Sequence, residues 1–226
     1  MTMRFMKTNT VDITVNGETY NSLRDFGLAI ENTDYLGEPE QGENNLIYVA
    51  GRDGPLDTTD AVFGGQYFTK RKIEIKLGGL EDPTMWDIVI SNMRNKFEGK
   101  KVKLAFQTIP GWYFTGRCRI KNYKHVRALG TFTLEIPNAD PYMYREKEIT
   151  VTATTNGTPV SIPITRKTAV PTVKSSSSIT IVKDGTNYSF EAGTHKDEKL
   201  RFTEGENEIA VKGSGTVTIS YIDGSL

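Results

Sequence analysis

The chain is poor in the residues that carry most catalysis and metal binding. Its 226 residues include one cysteine and two histidines. Cys118 has no partner for an internal disulfide, so the core must hold the fold, and a reducing cytoplasm is the expected place of synthesis. No cysteine pair and no His-x-x-x-His stands at metal-ligand spacing. Net charge is absent too: 28 Lys+Arg balance 28 Asp+Glu. A dedicated nucleic-acid binder usually carries a basic excess that neutralises phosphates, so that class is disfavoured. No apolar run approaches the roughly 20 residues of a membrane helix. Residues 1–17 lack the apolar stretch of a secretory leader, and none is expected.

What is present is core material. Hydrophobic residues make up 37% of the chain, with ten Tyr and ten Phe, which excludes disorder for most of it. Alternation of period two dominates and predicts strands buried on one face. Val11, Ile13 and Val15 lead into Asn16-Gly17, a hairpin signal. Ile73, Ile75 and Leu77 alternate with Lys72, Glu74 and Lys76. Val102, Leu104 and Phe106 repeat the pattern, then Pro110-Gly111 gives a turn. Trp112, Phe114, Cys118 and Ile120 read as one further strand, and Phe132, Leu134 and Ile136 as another. One segment changes period: Trp86, Val89, Ile90, Met93 and Phe97 share a helical face. The expected helix is 82–98, with Asp82 as N-cap, Pro83 at its first position and Gly99 as its stop.

A second region follows Asp140-Pro141. Short strands at even spacing run from Ile149 to Tyr221, with Asn156-Gly157 and Asp184-Gly185 as turns and Leu200 and Phe202 on one strand. The fold class is therefore mainly β in two domains: an N-terminal β-sandwich with one helix over 1–142, and a C-terminal β-sandwich over 143–226.

Chemistry is hard to place. His125 and His195 sit in polar stretches without partners and read as ordinary histidines. Cys118 lies on an inward strand face and reads as a small core residue. Asp53, Asp57 and Asp60 could approach a cation, but aspartates also suit turns. Gly213-Ser214-Gly215 lacks the rest of a phosphate loop and reads as a hairpin turn. Trp112 and Phe114 point to the core, which leaves Tyr113 as a possible sugar-stacking ring. No paired carboxylates are nominated for glycoside hydrolysis. No enzyme activity, metal or cofactor is expected.

Charge is patterned along the chain. Residues 1–60 hold four Lys/Arg and eleven Asp/Glu; residues 61–142 hold fourteen and seven. The acidic run Glu31, Asp34, Glu38, Glu40, Glu43 contains no base, and the basic run Arg117, Arg119, Lys121, Lys124, Arg127 contains no acid. Such blocks can face each other within a domain, be solvated, or join neighbouring subunits. The candidate subunit-interface residues are Glu38, Glu40, Glu43, Arg117, Arg119 and Lys121.

The order of several segments resembles the distal tail proteins of siphophages. These are Ile13-Thr-Val-Asn-Gly17, Asp25-Phe-Gly-Leu28, Val49-Ala-Gly-Arg-Asp-Gly54, Tyr67-Phe-Thr-Lys-Arg71, a helix bearing Trp86, Trp112-Tyr-Phe-Thr-Gly-Arg117, Phe132-Thr-Leu-Glu-Ile136 closing on Asp140-Pro-Tyr142, and Glu204-Gly-Glu-Asn-Glu-Ile209 through Gly215 to Tyr221. The resemblance implies a structural hub in the virion, assembled in host cytoplasm from a phage or prophage gene. It implies a hexameric ring built by the first domain and a galectin-like sandwich as the second. The implied partners are further copies of the chain, the tail tube protein, tail-tip or tail-associated proteins and receptor-binding proteins. No membrane is involved, and DNA meets the ring only in transit. The family brings no catalytic residues to carry over. The alternatives are a free carbohydrate-binding β-sandwich module and an unrecognised glycosidase.

Overall fold

The computed structural model describes residues 10–34, 37–63, 66–153 and 156–226. Residues 1–9, which carry part of the leader argument, and the side chain of Asp34 lie outside the described residues. The chain divides into two compact units. The first comprises residues 1–110 and 114–141, the second 111–113 and 142–226.

The first unit contains, in chain order, β1 (Val11–Val15), β2 (Glu18–Asn21), α1 (Ser22–Phe26), β3 (Ala29–Asp34), β4 (Glu40–Gln41), β5 (Leu46–Ile47), β6 (Leu56–Asp57), α2 (Thr59–Phe63), β7 (Phe68–Leu80), α3 (Trp86–Phe97), β8 (Lys101–Phe106), β9 (Trp112–Arg117, whose first two residues belong to the second unit), β10 (Arg119–Val126) and β11 (Leu129–Ala139). One sheet has the order β2-β1-β8-β9 and the other β10-β11-β7-β3, with β4 added to the start of β7. Asn16 and Gly17 turn β1 into β2 with φ of 51° and 86°, the left-handed pair that matches strand twist. Val11, Ile13, Leu104, Phe106 and Phe114 from one sheet and Ile73, Ile75, Leu77, Leu134 and Ile136 from the other are buried. Each such side chain contributes about 1.5–3 kcal/mol relative to exposure. Arg71 of β7, itself buried, lies 5.4 Å over the Phe114 ring of β9, so the sheets face each other.

The strand expected through Trp112–Lys121 is two strands. Phe114, Cys118 and Ile120 are buried at even spacing, with Gly116 part-buried between the first two, but at Cys118 the chain leaves the first sheet and enters the second. Burial pushes the Cys118 thiol up to about 12, aided by nearby Glu98, which leaves it a packing residue.

The helix begins at Trp86 rather than at residue 82. Asp82 does organise the entry, but as a turn: its carboxylate accepts from the Thr84 amide and hydroxyl, and its carbonyl accepts from the Met85 amide. These bonds hold 82–85 one turn short of the helix, whose N-cap position, Met85, has no side-chain cap. Gly99, expected as the helix stop, instead takes φ 71° in the turn that follows: Glu98, at φ −55° and ψ 125°, has already left the helix, and the Lys100 amide donates to the Phe97 carbonyl at 3.1 Å. Trp86, Ile90, Met93 and Phe97 are buried. The Phe97 ring meets Tyr20 and Phe26 edge-on, with centroids 5.9 and 5.8 Å away. The one-turn helices α1 and α2 are additional to the single helix expected. Asn21 caps α1 by accepting from Leu23 and Arg24, and Gly27 ends it at φ 67°.

In the second unit, β12 (Met143–Arg145) pairs with β21 (Gly224–Ser225) and with Trp112 and Tyr113. Two four-stranded sheets follow. One orders β13 (Ile149–Ala153), β20 (Val217–Tyr221), β15 (Thr172–Ser175) and β18 (Gly193–Lys196). The other orders β14 (Asn156–Ile164), β19 (Gly205–Gly213), β16 (Ile179–Lys183) and β17 (Thr186–Phe190). Ile162, Val173, Ile181, Phe202, Val211 and Ile219 lie in their shared core. Buried Asp223 accepts from the Thr165 amide and hydroxyl and pairs with Arg145 at 3.4 Å, which fastens β12 to the end of the chain.

Asp184-Gly185 forms the expected hairpin turn. Asn156-Gly157, expected as a turn, opens β14: the Thr158 amide donates to Asn156 Oδ1 at 3.1 Å, the register against β19 shifts before Pro159, and Gly157 at φ 84° accommodates the irregularity. Gly213–Gly215 joins strands of different sheets rather than a hairpin. Leu200 and Phe202 are buried without a full strand; Phe202 makes a single bridge to Ala169.

Candidate assembly interface

The second sheet of the first unit separates the two charge runs. The acidic run begins on β3, at one edge, and passes through β4. The basic run starts with Arg117 at the end of β9, in the first sheet, and continues along β10, at the other edge, to Arg127 just beyond it. Three strand spacings divide those edges, roughly 14 Å. That exceeds a Debye length of ~8 Å. No ion pair joins the runs to each other among the described residues.

Three of the six candidate residues have partners within the chain. Glu40 pairs with Lys70 of β7 at 3.2 Å. Lys121 pairs with buried Glu135 at 2.5 Å. Arg117 donates to the Gly99 carbonyl at 3.0 Å. Glu38, Glu43 and Arg119 are exposed, and so are Lys124 and Arg127 further along β10 and its turn. Arg117 and Arg119 line an open groove of about 810 Å³ with Lys70, Lys101, Glu98 and Asp140.

Glu135 ties β11 to its neighbours. It is 2% exposed and lies 3.7 Å from Lys72 as well as against Lys121. Burial pushes its carboxyl up, but the two ammonium groups outweigh that and hold it below its ordinary value of 4.5. A depressed carboxylate stabilises the folded state above the unfolded pKa, and that contribution is lost as pH falls through the folded one. Wild-type stability should therefore fall as pH drops through about 4.5 and below, with a slope that Glu135→Gln reduces. Urea midpoints across that range check it; parallel curves would remove Glu135 from the acid response.

Two apolar features are exposed. The ribbon β5–β6 and its turn present Leu46, Ile47, Tyr48, Val49 and Leu56 to solvent. At the far end of the sheet, Val126, Leu129 and Leu80 stand opposite one another on β10, β11 and β7. They are 72, 47 and 77% exposed. In the sequence Leu46–Val49 is a run of apolar residues, which reads equally well as core, while Leu80, Val126 and Leu129 stand singly.

The candidates for chemistry do not converge. His125 stacks on Tyr123, and His195 lies 6.1 Å from Phe190. Asp57 accepts from the Thr59 amide and hydroxyl, which hold its carboxyl below the usual range. No three His, Cys, Asp or Glu side chains gather as cation ligands among the described residues. Trp112, expected in the core, is only half-buried, and Arg145 lies over its ring at 4.7 Å. Tyr113, expected exposed, packs against Tyr144 with centroids 5.8 Å apart. No described helix is long and apolar enough to cross a membrane.

The chain is thus a mainly β protein of two units whose open features are charged edges and apolar surfaces. Its fold is similar to that of one solved phage protein. The crystal structure of SPP1 Dit, described as a paradigm of the hub adsorption apparatus in phages infecting Gram-positive bacteria, aligns over 96% of this chain and 99% of its own, with a TM-score of 0.68 at 17% identity. A de novo designed double-stranded β-helix aligns over 35% of this chain and 99% of its own, at 20% identity, and its TM-score of 0.24 carries no argument. No protein-family model and no curated protein matches the sequence.

Proposed function

We propose that this protein is a structural component of a phage tail, a hub that forms a hexameric ring between the tail tube and the tail-tip and receptor-binding proteins. The observation that supports this reading is the end-to-end match to the SPP1 hub fold, which covers nearly all of both chains. The separated charged edges fit it as well. A closed ring uses heterologous contacts, so each copy needs two different and complementary surfaces. In this reading the first unit makes the ring contacts, and the second is a β-sandwich that folds independently. The protein acts in the virion, after assembly in host cytoplasm, and catalyses nothing.

Sedimentation of the purified protein, with negative-stain images, tests the reading. Rings of six copies without added sugar are expected. A protein that stays monomeric at every concentration, or one that releases product from cell-wall glycans, would overturn it.

A further inference from the structure

We infer that the β5–β6 ribbon of one copy seats on the Val126–Leu129–Leu80 row of a second copy. The inference rests on the ring reading and names the surfaces that close it.

The row is a built surface. Val126 is the register partner of Leu129, and Leu129 of Leu80, across three adjacent strands. Directly opposed residues share a face with Cβ atoms about 4.5–5.5 Å apart, so the three form one continuous apolar strip. Met85 and Ile88, at the start of α3, are exposed as well. The Ala128 carbonyl fixes that helix start to the same turn, accepting from the Trp86 indole at 2.8 Å and the Glu81 amide at 2.9 Å. Beside the strip stand Lys124 and Arg127. Arg127 has φ 53°, a conformation that glycine or asparagine adopts more readily, and its exposed side chain puts a cation at that turn.

The ribbon is the matching half. Its base is clasped: the Asn45 amide donates to Thr59 Oγ1, the Asn45 side chain to Thr58 Oγ1, and the Thr58 amide returns to the Asn45 carbonyl. Beyond the clasp only two residue pairs hold the strands, too few for a stable hairpin in water. Yet this segment presents five large apolar side chains, with Tyr48 79% exposed. Residues 43–60 carry Glu43, Asp53, Asp57 and Asp60 against Arg52 alone. The ribbon is therefore acidic where the row is flanked by bases. Glu81 and Asp82 lie on the helix side of the row.

The second copy is the occupant because of where these features sit. The ribbon continues from the acidic edge, β3 and β4, while the row lies by the basic edge, β10. A ring contact that joins one copy's acidic edge to the next copy's basic edge carries the ribbon towards the row. Every copy then buries one ribbon and one row, as a closed ring requires.

Mixing two assembly-defective variants tests this. One carries Ile47→Ser and Tyr48→Ser, the other Leu80→Ser and Leu129→Ser. These sites are exposed, so melting curves near wild type are expected. Each variant alone should associate at least about 100-fold more weakly than wild type. Mixed in equal amounts, they should give a pair of twice the protomer mass and nothing larger, because a single intact junction remains. In a second measurement, Tyr48→Cys is combined in turn with Val126→Cys, Leu129→Cys and Leu80→Cys. Oxidation should give a ladder of linked copies, and buried Cys118 does not compete. If wild type forms rings and the serine variants form them equally well, the seating is wrong while the ring reading stands. The same holds if the mixture stays monomeric, or if no cysteine pair links copies within intact rings. Monomeric wild type would overturn both.

Discussion

Replacing Trp86 with alanine is expected to cost the first unit about 3–5 kcal/mol, a large share of the ~5–15 kcal/mol that a domain has. The indole is 1% exposed, and it is the anchor by which α3 holds the sheet. Gly130 of β11 explains why. A Cβ built there would lie 2.4–2.5 Å from the Trp86 ring, so the ring rests directly on the strand backbone. Gly130→Ala should accordingly cost about 1–3 kcal/mol by overpacking, although no positive φ demands glycine at that position. Trp86→Phe should cost less than Trp86→Ala. It leaves a smaller void, and the Ala128 carbonyl that loses the indole N–H keeps the Glu81 amide. The two sites are coupled: a smaller ring makes room for the added methyl, so Gly130→Ala with Trp86→Phe should cost less than the separate changes summed. Urea unfolding followed by circular dichroism on the four proteins checks the cycle. Strict additivity, or a neutral Gly130→Ala, would mean that the indole does not bear on β11. The effect should extend to assembly, since the loop carrying the Ala128 carbonyl lies next to Val126 and Leu129.

The parts of the fold that were legible in the sequence are those set by local period. Ile73, Ile75 and Leu77 alternate because one face of β7 is buried, and the same rule gives β1, β8 and β11. Asn16-Gly17 and Asp184-Gly185 place two hairpins because few other pairs take positive φ at both positions. What the pattern could not carry is which sheet a strand joins. Phe114, Cys118 and Ile120 keep their alternation while the chain crosses from one sheet to the other, since burial parity is blind to the partner strand. The start of α3 differs from the sequence pattern for a related reason: Asp82 and Pro83 suit both a helix and the turn that Thr84 completes.

The candidate interface shows the same division. The sign of each run was plain in the sequence, but its intrachain partners depend on strand order. Glu40 meets Lys70 because β4 pairs with β7, and Lys121 meets Glu135 because β10 pairs with β11. Leu46, Ile47, Tyr48 and Val49 form an apolar run that any reading of period assigns to a core. Only the fold leaves them in water.

Those intrachain pairs decide which charges can test the ring contact. Lys121→Glu would set an acid against buried Glu135 and weaken the fold itself, so its effect on assembly could not be read. Glu38 and Glu43 on the acidic side, and Arg119 and Lys124 on the basic side, are exposed and suit the purpose. Reversing the acidic pair to lysine should weaken association by about 10–100-fold at low salt, because like charges would then meet at every junction. Reversing Arg119 and Lys124 to glutamate should do the same. The protein carrying both reversals should regain part of the loss, since opposite signs face each other again. Raised salt should weaken wild type only moderately and should strengthen the single reversals, because exposed charges are screened within ~8 Å while apolar contacts are not. Sedimentation velocity across a salt series, on wild type and the three variants, reads all of this. Salt that weakens every variant alike, or a double reversal that assembles no better than the single ones, would show that the two edges do not meet. The charge blocks would then serve solubility and the intrachain pairs on β7 and β11, and the ring would have to close through other surfaces.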